Sequence, residues 1–223
     1  MAQTIVINSS NIGAGKTLFA AHLAVLLAKD YKTAVLDSVN NSSLAMFVAK
    51  RYTLNLSKKY NLPIPQYHSL KKGILSETGS EYDAVILDSP DADYFQFADV
   101  LITMLRGQEA LQNLITDNSL FTSLIWEAKK KQAATGKNAF RWVVCPNDNY
   151  SEAELQQLKN AGKFSGFGVS PALHWRTEYQ EGLQTGITVA DKDRPELKTL
   201  FDLPDLYARR NLKKLTDFIW QNK

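Results

Sequence analysis

The strongest chemical signal in the chain is the run Gly13-Ala14-Gly15-Lys16-Thr17. Its glycines let backbone N–H groups converge on phosphate oxygens. Lys16 can reach the β and γ phosphates, and the Thr17 hydroxyl can ligate Mg2+. The run follows a short β-branched stretch, Thr4 to Ile7, and precedes Leu18 to Leu27, where Leu, Phe and Ala fall at helical spacing. Strand, loop and helix in that order form the setting in which such a motif cradles phosphate. The expected nucleotide-binding set in this stretch is Asn11, Gly13, Ala14, Gly15, Lys16, Thr17 and Leu18. Leu18 stands where a third glycine would complete G-x-G-x-x-G, which excludes a nicotinamide-type dinucleotide site.

A phosphate loop needs a carboxylate for its metal. Asp88 closes Ala84-Val85-Ile86-Leu87 and precedes Ser89-Pro90, the position of a Walker B aspartate holding a magnesium-bound water. Asp37, after Thr33 to Leu36, would reach the same sheet edge. Either aspartate also fits a plain turn residue after a strand. The polar strip Ser38-Val39-Asn40-Asn41-Ser42-Ser43 reads equally as an Asx-rich turn capping the next helix or as a nucleotide-facing switch. Other chemistries find no support. His22, His68 and His174 lie far apart, and the single cysteine, Cys145, cannot form an internal disulfide, so disulfide scaffolds and Cys/His zinc sites are excluded. Cys145 reads as a packed, inert thiol and His22 as structural.

The elements that must position these residues alternate. Strands are expected at Thr4–Ile7, Thr33–Leu36, Ala84–Leu87, Val100–Met104 and Trp142–Cys145. Helices are expected at Leu18–Leu27, Leu44–Tyr60, Leu120–Lys131, Glu152–Lys163 and Leu206–Trp220. Ser151 with Glu154 forms a capping box, and Pro204 lies near the last helix's first turn. This pattern predicts an α/β fold, a P-loop NTPase domain over residues 1–223 with a predominantly parallel, doubly wound sheet flanked by helices.

Composition fits that expectation. The chain has 223 residues, 44% hydrophobic and 22% charged, and its 26 Lys and Arg exceed its 23 Asp and Glu by only +3. A balance that weak marks neither a nucleic-acid coat nor a polybasic membrane binder. No run approaches a membrane span of ~20 apolar residues, and the first residues lack signal-peptide character, so a cytoplasmic location is expected.

The chain resembles the ParA/MinD family of deviant-Walker ATPases, whose loop reads K-G-G-x-G-K-T, and within it the MipZ-like branch. The resemblance is carried by GAGKT, AMFVAKRYTLNLSKKYNLPIP, YDAVILDSP, FADVLIT, SLFTSLIWEAKKKQAATGKNAFRWVVCPN and HWRTEYQEGLQTGITVAD. It implies a homodimer closing face to face around two ATP molecules with Mg2+, sequence-independent DNA binding on the nucleoid, a response to ParB-like proteins, and action on FtsZ-like proteins. By the same resemblance, Thr17, Asp37 and Asp88 would serve the metal, Asn147 would read the adenine edge and Pro171 would line the base pocket. For Asn147 an ordinary turn after Pro146 stands beside that reading.

Three departures bear on turnover. Asn11 replaces the family's signature lysine, Ile12 the next glycine, and Val39 the second carboxylate of the switch triplet, here Asp37-Ser38-Val39. A neutral amide cannot neutralise developing phosphate charge, and valine cannot orient or deprotonate water. Weak or absent hydrolysis is therefore expected, unless Asn40, Asn41 or a lysine elsewhere supplies the missing group. A non-hydrolysing interaction protein and a ligase similar to dethiobiotin synthetase are the alternatives. Basic residues gather at Lys129-Lys130-Lys131, at Arg209, Arg210, Lys213 and Lys214, and around Arg176 and Arg194. The group on the last helix reads either as a solvated face over an apolar stripe of Leu212, Leu215, Phe218 and Ile219, or as a DNA-backbone surface, to which Arg176 and Arg194 would add.

Overall fold

The computed structural model describes residues 2–9, 11–37, 43–70, 81–116, 120–174, 176–191 and 203–220. Seven strands, β1 (Gln3–Asn8), β2 (Thr33–Asp37), β3 (Gln66–Ser69), β4 (Ala84–Asp88), β5 (Val100–Leu105), β6 (Arg141–Pro146) and β7 (Phe167–Val169), form one sheet in the order β3-β2-β4-β1-β5-β6-β7. All six pairings are parallel. The expected parallel α/β sheet of a P-loop NTPase is present.

Seven α-helices are described: α1 (Lys16–Leu27), α2 (Ser43–Leu56), α3 (Gln108–Ile115), α4 (Leu120–Ala134), α5 (Glu152–Ser165), α6 (Thr177–Thr185) and α7 (Leu203–Trp220). A 3-10 helix, Ala92–Phe97, follows β4. The alternation of side chains along each strand sorts the core into two layers. Ile5 and Ile7 pack with α1, α2, α6 and α7 on one face, while Val6, Leu36, Leu87 and Val144 pack with α3, α4 and α5 on the other. Interior strands buried on both faces explain why β2 and β4 read as unbroken apolar runs.

Local chemistry sets the helix ends. Ser151 and Glu154 form both bonds of the expected capping box of α5, and Gly166 closes that helix in the left-handed conformation. The second helix stops at Leu56 rather than Tyr60, and Lys58 turns the chain at φ 58°. The last helix begins three residues before the expected Leu206, at Leu203. Its stripe faces inward as expected, with Leu212, Leu215 and Ile219 buried.

Sheet order places the loop after β1 at the point where the chain changes direction of winding: β2 and β4 lie on one side of β1, β5 and β6 on the other. In open α/β sheets the crevice beyond the carboxyl ends of the strands at this point binds ligands. Asp37 and Asp88 sit directly opposite each other in the β2–β4 register, and Asp88 sits opposite Ile7.

Candidate functional site

The loop between β1 and α1 is shaped by its glycines. Gly13 (φ 79°) and Gly15 (φ 92°) both adopt left-handed backbone that a side chain would disfavour. No side-chain cap bond forms at Gly15, and the first turn of α1 holds no acidic residue. The first turn thus carries no acid of its own, which suits an anion arriving from outside. Two loop carbonyls are tied back to the other half of the sheet. Arg106, after β5, donates to the Gly13 carbonyl at 3.0 Å, and Asn147, after β6, donates from Nδ2 to the Ala14 carbonyl at 2.9 Å.

A cavity of about 620 Å3 opens over the loop, lined by Ile12, Gly13, Gly15, Lys16, Thr17 and Leu18 on one side, by Asp37, Ser43, Asp88 and Pro90 along the sheet edge, and by Gln180, Leu183 and Gln184 of α6. Lys16 Nζ donates to Ser9 Oγ at 2.9 Å, and Thr17 Oγ1 donates to Asp88 Oδ2 at 2.5 Å. Asp88 is 2% exposed. Burial pushes its carboxyl up to about 6; the Thr17 hydroxyl and the Lys16 ammonium pull the other way, while the Asp37 charge adds to the rise. No group of three or more potential metal-ligating His, Cys, Asp or Glu residues occurs among the described residues. One hydroxyl with one or two carboxylates is nevertheless a donor set that magnesium accepts beside phosphate, because the ion keeps several waters. A buried carboxyl whose negative charge its surroundings answer only in part, next to a hydroxyl and a second carboxylate, fits a divalent cation.

The remaining expected nucleotide residues separate into two groups. Asn147 is buried, and its Oδ1 lacks a hydrogen-bond partner, which leaves an acceptor for an exocyclic amine. Pro171 lies just after β7, half-buried, on the same sheet edge; its carbonyl accepts from Ser170 Oγ at 3.0 Å. Neither lines the 620 Å3 cavity. Asn11 is exposed and donates from Nδ2 to the Arg106 carbonyl at 2.8 Å, so its amide braces the loop from outside. Ile12 is 99% exposed at the cavity rim. Ser38, Val39, Asn40, Asn41, Ser42 and Arg194 lie outside the described residues.

The basic residues are also divided. Arg209 spends its guanidinium on the Val189 carbonyl (2.7 Å) and the Asp191 carbonyl (3.2 Å). Arg210, Lys213 and Lys214 are exposed, and Arg176 is half-buried just before α6. Cys145 is fully buried, with its thiol pushed up to about 12 by burial, and His22 is buried against Tyr179. Both match the structural roles expected of them.

Residue pairing far apart in the chain escapes sequence reasoning. Arg51 of α2 and Asp191 form a bidentate ion pair, Nη1–Oδ2 and Nη2–Oδ1 both 2.9 Å, with both side chains essentially unexposed. Arg51 also donates to the carbonyls of Gly186 (2.6 Å) and Pro63 (2.9 Å), while Asp191 accepts from the N–H of Thr188 (2.6 Å) and from its hydroxyl (3.0 Å). Burial alone would raise the Asp191 carboxyl, but the Arg51 and Thr188 bonds hold it below the ordinary carboxylate value. Helix α6 is nearly silent in the sequence because Tyr179 and Gly182 are its only buried residues. The four-residue spacing of Tyr179 and Leu183 is its one available signal.

Comparison with known proteins gives a consistent picture. The family model described as ATPase MipZ matches residues 73–219, a stretch that begins after the phosphate loop. No curated protein matches the chain by sequence. Among solved structures, the cell division ATPase MinD of Pyrococcus furiosus superposes with a TM-score of 0.63 at 16% identity over 100% of both chains. MinD of Pyrococcus horikoshii OT3, complexed with Mg-ADP, gives 0.61 at 15% identity over 99% of this chain and 97% of that one. An ATP complex of a point variant of Cyanothece McdA gives 0.58 at 17% identity over 95% and 96%. Identities this low are evidence of shared fold.

Proposed function

The chain belongs to the family of the ATPase MipZ, and on that premise we propose that it is an ATP-gated switch acting in placement of the division site or in partition of DNA. The observation that carries this reading is the convergence of Lys16, Thr17, Asp37 and Asp88 on one cavity at the winding switch of the sheet. Lys16 would leave Ser9 for the β and γ phosphates, and Gly13 and Gly15 would let backbone N–H groups close on them. Thr17 and Asp88 would hold magnesium, with Asp37 behind them. Magnesium supplies charge neutralisation across the phosphates. The acceptor of Asn147 would take the adenine amine, with Pro171 beside the base.

Hydrolysis is slow on this reading. Asn11 is committed to the Arg106 carbonyl and carries no charge, so it cannot stand in for a lysine at the transferring phosphate. This same observation favours, as a second reading, a family member that binds nucleotide without turning it over. ATP would bring two copies together over the face that carries Ile12, with ParB-like and FtsZ-like proteins as partners. DNA binding would then rest on Arg210, Lys213 and Lys214, with Arg176 and Arg194 as further candidates, since Arg209 is held by carbonyls. No described helix is long and apolar enough to cross a membrane.

One sample tests the reading. Calorimetry should show Mg-ATP binding that Lys16→Ala abolishes. Light scattering should show a dimer with Mg-ATP, and phosphate release on the same sample should be slow. Unchanged ATP affinity in Lys16→Ala overturns the phosphate-loop reading; dimerisation without release selects the non-hydrolysing form.

A further inference from the structure

One wall of the phosphate cavity has no counterpart in phosphate-loop chemistry. Gln180, Leu183 and Gln184 of α6 line the same space as Lys16, Thr17 and Asp88. The glutamines are four residues apart with Leu183 between them, so they share one face of the helix. Both are exposed and open to the cavity.

The opposite face of α6 is fixed on three sides. Gly182 sits so close to α1 that an added Cβ would lie 2.8 Å from His22 Nε2 and 3.3 Å from Thr188 Cα. Tyr179 crosses the His22 ring edge-on at 5.2 Å and donates to the Ala208 carbonyl of α7 at 2.7 Å. From α2, Lys50 Nζ donates to the Gln184 carbonyl at 2.5 Å, and Arg51 donates to the Gly186 carbonyl. A helix pinned to three others holds its free face at a set position, so the two amides need little reorganisation to meet a ligand.

The polar chemistry of the cavity explains what these amides would meet. Asp37 and Asp88 repel phosphate unless a cation lies between, while Asn11 does not line the cavity. Side-chain donors on the lining come from Lys16 and Thr17 in the loop, Ser43 at the start of α2, and the two glutamines. A glutamine amide donates two N–H groups and carries no charge, so it can bind phosphoryl oxygens or hold water beside them. On the phosphate-loop reading above, the geometry points to Gln180 and Gln184 as specificity-determining residues that distinguish a nucleoside triphosphate from a diphosphate by binding the terminal phosphoryl group from the wall facing the loop.

The test is calorimetry with Mg2+ and two probes, ADP and a non-hydrolysable ATP analogue, on the full chain and on Lys16→Ala, Gln180→Ala/Gln184→Ala and Gln180→Glu. The exposed glutamines can be replaced without loss of the fold, which an unchanged melting temperature checks. The double variant should lose about tenfold in affinity for the analogue while ADP binding changes less than about twofold, as expected for losing hydrogen bonds to a charged group. Gln180→Glu should lose more through like-charge repulsion. Analogue and ADP affinities that fall together, or that both stay unchanged, overturn the inference. Loss of both ligands in Lys16→Ala shows in that event that the loop reading stands alone; a wild-type chain that binds neither probe overturns both.

Discussion

Asp88 and Asp191 are almost equally buried, at 2% and 1% exposure, yet their surroundings drive them in opposite directions. Asp191 accepts two bonds from Arg51 and two from Thr188, and its carboxyl lies below the ordinary range. Asp88 receives the Thr17 hydroxyl, faces Asp37 across the sheet register, and is raised to about 6. A charge that the fold has fully answered holds elements together, here α2 to the turn at Thr188–Asp191. A carboxyl whose charge is left incompletely answered at the edge of a cavity is poised for something that arrives from outside.

The largest effect should come from breaking the answered charge. Arg51→Ala or Asp191→Ala should destabilise the chain by about 3–5 kcal/mol in chemical denaturation, since either leaves a buried charge alone. Replacing both together by apolar residues, Arg51→Met with Asp191→Leu, should recover much of that loss. A single-variant loss below about 1 kcal/mol would remove the structural half of the comparison.

Asp88 should respond with the opposite sign. Its folded value of about 6 lies above the ordinary 3.8, so the stability contributed by its neutral form is complete below pH ~4 and is lost as pH rises through 6. Asp88→Asn, neutral at every pH, should therefore stabilise the nucleotide-free chain by up to about 3 kcal/mol above pH 7 and by little at pH ~4, as read from melting temperatures. The same variant should bind Mg-ATP more weakly. Equal stabilisation at both pH values would show that Asp88 is held in its charged form, as Asp191 is.

Gly182→Ala tests the joint between the two regions, because α6 lines the cavity at one face and leads into the Arg51-bound turn. A Cβ 2.8 Å from His22 should cost about 1–3 kcal/mol by overpacking, together with a measurable loss of nucleotide affinity as α6 shifts. Destabilisation with unchanged affinity would mean that the wall of glutamines is not held from behind.

What the sequence discloses follows how far apart the interacting residues lie. The loop, its strand and its helix are contiguous, and the aspartates after β2 and β4 close buried apolar runs, so each is legible locally. The edge strands are not. Gln66–Ser69 is half exposed and Phe167–Val169 is three residues long, so neither shows a strand's apolar run. The eight residues of α3 begin after Gly107 and are too short for a firm period. The Arg51–Asp191 pair, the Arg106 and Asn147 ties to the loop, and the glutamine wall all join residues from separate parts of the chain. Only the folded backbone brings them together.

The central place of β1 also has a consequence in time. Gln3–Asn8 pairs with Ala84–Asp88 on one side and Val100–Leu105 on the other. At a synthesis rate of about 5–20 residues per second, the strand waits for seconds before either neighbouring strand exists, and α1 is the first element made that can cover Ile5 and Ile7. The Arg106 and Asn147 ties to the phosphate loop come later still. The two bonds that brace the loop thus depend on residues 93 and 133 positions further along the chain.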